Sequence, residues 1–426
     1  MLNEAQQQCL ADDSLFVSAL LADGDSRLAI DKNTGRNKYL CPPTPDASVT
    51  CLSSCTASPV SENSFARARL LHAAAAGPGG RGVLVRQAQD IAQALGRFFQ
   101  ASDLAEVILC PSGTDGLLTA ACLLADERPG GSATAILPCA SETGTGVPLA
   151  AACRDFDGPP KGRLRADAAI SIVEVAVRDA DGRALAEDAV NAAFAREAGR
   201  AKDRPIVYLT HPTKTGLIAP RVPPEGCDVI VDACQARIDP LCVAGYLERG
   251  WPVVVTGSKF FGGPAFCGAV LYPKARGRRV AQSLPPPLGV LLRWTAALDA
   301  MEQFAAVAHR AEAFVRRRGA VIRDLIESNP ALMPVEGLTG TGPHWSDFPS
   351  IFTFALRDRR DRARLLTAEE LAPVHRKLAA EGTLVGQPVG LGSFGGLRLA
   401  IGARDIIRGE AAWADGWGGR IRSLGL

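Results

Sequence analysis

No stretch of this 426-residue chain stays apolar over the roughly 20 residues that a bilayer-spanning helix needs. Its first residues, MLNEAQQQCLADD, lack the basic and apolar regions of a signal peptide. The two absences together give the expectation of a cytoplasmic protein with no membrane partner. Charge of one sign is missing as well: the net charge is +2, which leaves no surface suited to nucleic acid. The Arg-rich pieces at 316–318 and 357–364 are short and read as solvated faces. The 12 cysteines form no CxxC pair and have no partner histidines, so no metal site is expected. Reduced in a cytoplasm, they would serve mostly as small buried hydrophobes. None follows Cys267.

What is present is ordinary for a globular protein, with 47% hydrophobic and 22% charged residues. The length favours two domains over one. Residues 1–65 combine a short amphipathic start with a stretch rich in Pro, Ser, Thr and Cys, which predicts an extended arm. From Ser64 to Gln100 the pattern turns helical. Short apolar runs then alternate with helical segments: Ala105–Cys110, 133–137, 170–177, 206–209, 229–231 and 253–255. Most end in polar or glycine-rich residues, the pattern of a mainly parallel sheet buried on both faces. After Pro285-Pro286-Pro287, residues 288–329 are helical almost throughout and read as one long connecting helix. A strand at 348–356, a helix near 368–381, a strand at 396–401 and a closing helix complete the chain. The expected division is an arm at 1–65, a large α/β domain at 66–300 and a smaller α+β domain at 301–426. No internal repeat is evident.

Ligands of open α/β sheets sit at the carboxyl ends of the strands, so the residues that follow each strand carry the chemistry. After 229–231 comes Asp232-Ala233-Cys234-Gln235. A carboxylate at a buried strand end is costly unless it meets a cation. The pyridinium nitrogen of pyridoxal phosphate (PLP) is such a cation; taken alone, a helix cap or a metal ligand is the plainer reading of the residue. After 253–255 comes Thr256-Gly257-Ser258-Lys259-Phe260-Phe261-Gly262-Gly263. A lysine amine partly stripped of water among small residues is a competent nucleophile toward an aldehyde, though an exposed turn lysine has the same local sequence. It lies 27 residues beyond Asp232, one strand-helix-strand step onward. After 105–110 comes Pro111-Ser112-Gly113-Thr114-Asp115-Gly116, opening a helix whose free N–H groups and positive dipole end suit a phosphate. This turn is neither a P-loop nor a GxGxxG dinucleotide turn, and Ser, Thr and Asp also cap helices without any ligand.

Phosphate turn, ring acid and lysine, in that order and each after a strand, resemble fold-type I PLP-dependent enzymes, in particular the aminotransferase class V branch that includes cysteine desulfurases. DACQ looks like that branch's D-A-x-Q, which implies that Asp232 pairs with the ring nitrogen and Gln235 reaches the phenolic oxygen. TGSKFFGG looks like its S-x-H-K and glycine-rich turn, with Lys259 as the Schiff-base lysine. Thr256 then stands for the serine and Ser258 for the histidine, both as phosphate ligands beside Ser112, Gly113 and Thr114. The resemblance further implies that Thr143 covers the ring, where the family commonly has an aromatic, and that Thr213 lies near the ring oxygen. Lys214 beside it faces either substrate or solvent. Arg398, within Leu397-Arg398-Leu399, matches the arginine that binds the substrate carboxylate, with Arg404 a weaker candidate. A homodimer is implied, with the segments at 37–39 and 53–58 lining the entrance.

An amino-acid substrate and PLP as cofactor follow from this resemblance, and aminotransfer is the best single expectation. A lyase, a side-chain replacement or an epimerase stands as the alternative, followed by a non-catalytic protein of the same fold. Persulfide-forming desulfuration is disfavoured, because residues 268–397 contain no cysteine to act as the nucleophile that the family places there.

Overall fold

The computed structural model describes residues 13–127, 132–156, 169–277 and 285–410. Strand β1 (Thr50–Cys51) lies in the arm, which also holds helix α1 (Asp13–Leu21). Helices α2 (Glu62–Ala75) and α3 (Gly80–Phe98) follow, separated by Gly77-Pro78-Gly79. The expected helical stretch from 64 to 100 is therefore two helices, because proline lacks the N–H that would continue the ladder.

Seven strands build the central sheet: β2 (Ala105–Cys110), β3 (Ser132–Pro138), β4 (Ala169–Val175), β5 (Arg204–Thr210), β6 (Asp228–Ala233), β7 (Val253–Thr256) and β8 (Gly268–Pro273). Their order across the sheet is β2-β8-β7-β6-β5-β3-β4. Strand β8 runs antiparallel to both neighbours and every other pair is parallel. Side chains alternate between two apolar layers, as the twofold repeat of a strand requires. Val229 and Val231 of β6 enter one core cluster, whereas Ile230 enters the other. Likewise Val253 and Val255 of β7 face one side and Val254 faces the other. This double burial explains why the strands read as unbroken apolar runs.

Helix α4 (Gly113–Asp126) covers one face together with the short α5 (Val147–Ala151). Helices α6 (Glu187–Arg200) and α7 (Pro240–Glu248), together with α2, α3 and α8 (Leu288–Val307), pack into the other layer. The helix expected over 288–329 is interrupted by a single 3₁₀ turn at Ala308–Arg310, and α9 (Ala311–Glu327) starts afresh beyond it. Among the described helices none is long and apolar enough to cross a membrane.

The C-terminal part is a four-stranded antiparallel sheet in the order β12-β13-β10-β9. It comprises β9 (Leu332–Val335), β10 (Ile351–Leu356), β12 (Gly386–Leu391) and β13 (Phe394–Ala400), with α10 (Ala368–Ala380) against it. Helix α10 starts on a capping box of Thr367 and Glu370, which satisfies two backbone donors reciprocally. The arm is sewn to this part by the pairing of β1 with β11 (Thr383–Leu384) and by a bridge of Ser53 to Ala400, with side-chain bonds beside them.

Candidate active site

Strands β5, β6 and β7 end together, and the loops beyond them open onto one cavity of about 280 Å³. Ser112, Gly113, Thr114, Thr143, Asp232, Gln235, Thr256, Ser258, Lys259 and Arg398 all line it. Residues separated along the chain by up to 286 positions thus share one concave surface.

The first wall is made of strand ends. Ser112 caps α4, its hydroxyl accepting the Asp115 N–H at 3.2 Å and donating to the Asp115 carboxylate at 2.6 Å. That commitment leaves the N–H groups of Gly113 and Thr114 as the free donors of the first helical turn, the usual place for an anion. Only glycine fits at 113: a Cβ there would lie 2.7 Å from Cys234 Sγ and 2.9 Å from Thr256 Cγ2. The Thr256 hydroxyl donates to the Cys234 carbonyl at 2.6 Å, so its proton is held inward, away from a phosphate. Its contribution to anion binding is thereby reduced to shape, and Ser258 is the hydroxyl left beside the lysine.

Lys259 is half-buried and its amine meets no hydrogen-bond or ion-pair partner among the described residues. Its backbone is fixed on both sides. Phe260 and Phe261 are buried in an aromatic cluster with Phe304, Trp345 and Phe98. Gly257 and Gly263 press so close to α8 that an added Cβ would meet the Ala297 methyl at 2.4 and 2.6 Å. Asp232, at the end of β6, is 6% exposed. One carboxylate oxygen accepts the Cys234 N–H at 3.0 Å, and the group has no cationic partner among the described residues. Gln235 is held by the arm, its amide donating to the Cys55 carbonyl at 3.0 Å.

The second wall comes from distant segments. Arg398 of β13 is 4% exposed, and its flanking Leu397 and Leu399 are fully buried. Its guanidinium donates to the Lys214 carbonyl at 3.1 Å, to the Gln387 carbonyl at 2.8 Å and to the Thr56 hydroxyl at 3.3 Å, and its Nε has no partner. Thr143 and Thr210 also present buried hydroxyls without partners on the cavity. Lys38, Tyr39, Cys55 and Thr56 of the arm complete this side.

Thr213 departs from the expectation. It is fully buried and does not line the cavity; its hydroxyl accepts the Leu217 N–H at 3.0 Å and closes the turn. Pro212 and Lys214 reach the cavity instead, since neighbouring residues of a turn diverge in direction. His211 turns to Tyr246 at 3.0 Å, and burial pushes its imidazole down to about 3. Arg404 also lies elsewhere, donating to the carbonyls of Pro59 and Gly262.

Three contributors were not foreseen. Arg27 reaches Thr114 at 3.4 Å across 87 residues, with its guanidinium held by Asp25 and stacked near Phe156 and Phe266. Phe266 takes a positive φ of 70° at the cavity wall, a strained conformation for an aromatic residue. Glu142 is fully buried at the cavity, with its carboxylate bound by Arg178 at 2.7 Å and by the Thr215 hydroxyl. Cys55, within the arm segment expected at the entrance, is buried and is among the residues of the cavity wall. No sequence signal marked Arg27, Phe266 or Glu142, because each acts through a contact distant along the chain. Among the described residues no cluster of His, Cys, Asp and Glu suits a metal ion.

No protein-family model and no curated protein sequence matches the chain. Solved structures do. The cysteine desulfurase CsdA from Escherichia coli superposes with a TM-score of 0.55 at 13% identity, covering 88% of this chain and 95% of its own. The glutamate decarboxylase domain of a Vibrio parahaemolyticus transaminase and decarboxylase gives 0.54 at 13% identity, covering 88% and 80%. Oryza sativa TDC, solved with PLP and tryptamine, gives 0.53 at 15% identity, covering 88% and 82%. These likenesses establish the fold, which is that of the fold-type I PLP-dependent enzymes. They do not single out the class V branch, since a desulfurase and decarboxylases match alike.

Proposed function

We propose that this cavity binds PLP and that the protein is a PLP-dependent enzyme acting on an amino acid, with aminotransfer as the favoured reaction. One observation carries the reading: Lys259, Asp232 and the N-terminus of α4 line a single cavity while each keeps unmatched bonding capacity. A half-buried amine with no partner, a buried carboxylate with no cation and free helix N–H groups are each unfavourable when left alone. An aldehyde, a protonated ring nitrogen and a phosphate on one molecule satisfy all three.

In this reading the N–H groups of Gly113 and Thr114, the Thr114 hydroxyl and Ser258 hold the phosphate, with Arg27 adding positive charge behind Thr114. Asp232 holds a proton on the ring nitrogen, and Thr143 covers the ring with a small side chain that leaves space above it. When bound, the cofactor serves as an electron sink for the bonds at the substrate Cα. Lys259 supplies the amine that binds it, and once displaced by the substrate amine moves protons at Cα. Arg398, in the cavity wall, receives the substrate carboxylate and so orients the Cα bonds.

A second reading is side-chain elimination or replacement, for which the small Thr143 side chain in the cavity wall leaves space over the ring. The proposal extends to a homodimer, which sedimentation of the purified protein checks.

The test is spectroscopic. Protein loaded with PLP should absorb near about 410–430 nm, as expected for a lysine-bound form, and borohydride should fix the cofactor covalently. Lys259→Ala should stay colourless after dialysis and lose activity by about 10³-fold or more. A wild-type protein that never gains the band sinks the proposal. Aminotransfer requires that an amino donor alone bleaches the band and yields one keto acid per site. A persistent band with release of ammonia, pyruvate or a sulfur species selects the second reading.

A further inference from the structure

We propose that the substrate of this cavity carries a second anionic group beyond its α-carboxylate, and that Lys214 receives it. This inference rests on the proposed function and names its substrate class: an amino acid with a carboxylate, sulfonate or phosphate on its side chain.

Five cationic side chains line the cavity, namely Arg27, Lys38, Lys214, Lys259 and Arg398, against the acids Glu142 and Asp232. Arg27 is paired with Asp25 at 2.5 Å. Glu142 gives nothing to the cavity, because Arg178 and Thr215 take both its oxygens. Asp232 and Lys259 are assigned to the cofactor. Arg398 and Lys214 remain inside, with Lys38 at the exposed rim, and none of the three forms an ion pair among the described residues. One α-carboxylate satisfies Arg398, whose buried Nε has no partner. Lys214 is left over.

Lys214 is not a loose surface lysine. Its backbone N–H donates to the Glu142 carbonyl at 2.9 Å, and its carbonyl receives Arg398 at 3.1 Å. Its Nζ donates to the Ala140 carbonyl at 2.9 Å. That single bond leaves two of its three N–H donors for a ligand. Burial pushes this amine down to about 8; Arg398 and Lys259 push the same way, whereas Glu142 and Cys139 oppose them. A ligand anion at this point relieves both the desolvation and the repulsion. The bond from Arg398 to the Lys214 carbonyl joins the two residues, and both line the same cavity.

The test is binding, read from the cofactor band of the loaded protein, with matched pairs: glutamate against glutamine, aspartate against asparagine, and O-phosphoserine against serine. We expect the acid of at least one pair to perturb the band at a concentration about tenfold or more below its neutral partner, the usual effect of one charge-assisted bond. Lys214→Met should bring that ratio close to one, and Lys214→Arg should restore it. The pair that responds identifies the anion. Neutral partners binding as well as the acids in the wild type, or a ratio that survives in Lys214→Met, overturn the inference while leaving the cofactor assignment intact. Failure of the cofactor band to form overturns the proposed function instead. The wild-type comparison needs no variant to fold.

Discussion

The wall of the cavity that carries Asp232 and Lys259 and the wall that carries Arg398 and Lys214 hold their residues by different means. In the first, each residue follows a buried strand, and close packing fixes the backbone: Gly113, Gly257 and Gly263 have no room for a side chain. In the second, three separate segments are tied together by arginine side chains reaching backbone carbonyls. Arg398 joins β13 to the loop after β5 and to the arm, over sequence distances of 184 and 342 residues. Arg237, only 1% exposed, donates to Ser54, Gln235 and Ile401 and so fastens the arm over the site. Close packing tolerates little change of volume, whereas hydrogen-bonded arginines tolerate neither loss of reach nor loss of planarity. The first wall is therefore held by packing and the second by polar ties between distant segments.

Three changes break this contrast at different strengths. The largest effect is expected for Arg237→Ala, which leaves several buried carbonyls without a donor and costs about 2–4 kcal/mol. Denaturant unfolding measures the loss, and proteolysis within 37–58 should speed up while PLP absorbance is retained. Absorbance lost in parallel with the arm would show that the walls are not independent. Next comes Gly113→Val, whose branched side chain collides with Cys234 and Thr256 at the phosphate turn. Overpacking of this order lowers cofactor affinity by about tenfold to 100-fold, measured by absorbance titration, and leaves the arm as resistant to protease as before.

The smallest effect is that of pH on the substrate side. Burial holds Lys214 below its ordinary 10.5, down to about 8. Its charge is therefore present below that value and lost as pH rises through it. Preference for an anionic over a neutral amino acid should fall by several-fold between pH 7 and pH 9. The sign for stability is the reverse: the unfolded chain binds this proton more tightly, so the Lys214 contribution improves as pH rises from about 8 toward 10.5. Lys214→Met should remove both dependences. A preference that is flat across this range would place the anion receptor elsewhere.

The strands of the central sheet were legible because double burial makes each an apolar run, and the residues at their ends inherited that clarity. Ala105–Cys110 appears in the structure with the expected bounds, and the runs at 206–209, 229–231 and 253–255 each lie inside a longer strand. The break at Ala308–Arg310 carries no proline or glycine, so nothing local announced it. Thr213 and Lys214 show the same limit at the site. They are adjacent in sequence, yet one closes a turn and the other faces the cavity. A turn's outward direction is set by what it packs against, in this case Leu217, Glu142 and Arg398.

By itself the sequence determined the alternation of strand and helix, and with it the order of phosphate turn, acid and lysine. These depend on local periodicity and on the rule that strand ends gather at one edge of a parallel sheet. Only the tertiary structure decided which cations remain unpaired, that Glu142 is consumed by Arg178, and that Arg27 reaches the same cavity. Charge matching between segments hundreds of residues apart has no local pattern. It exists only once the chain has closed on itself.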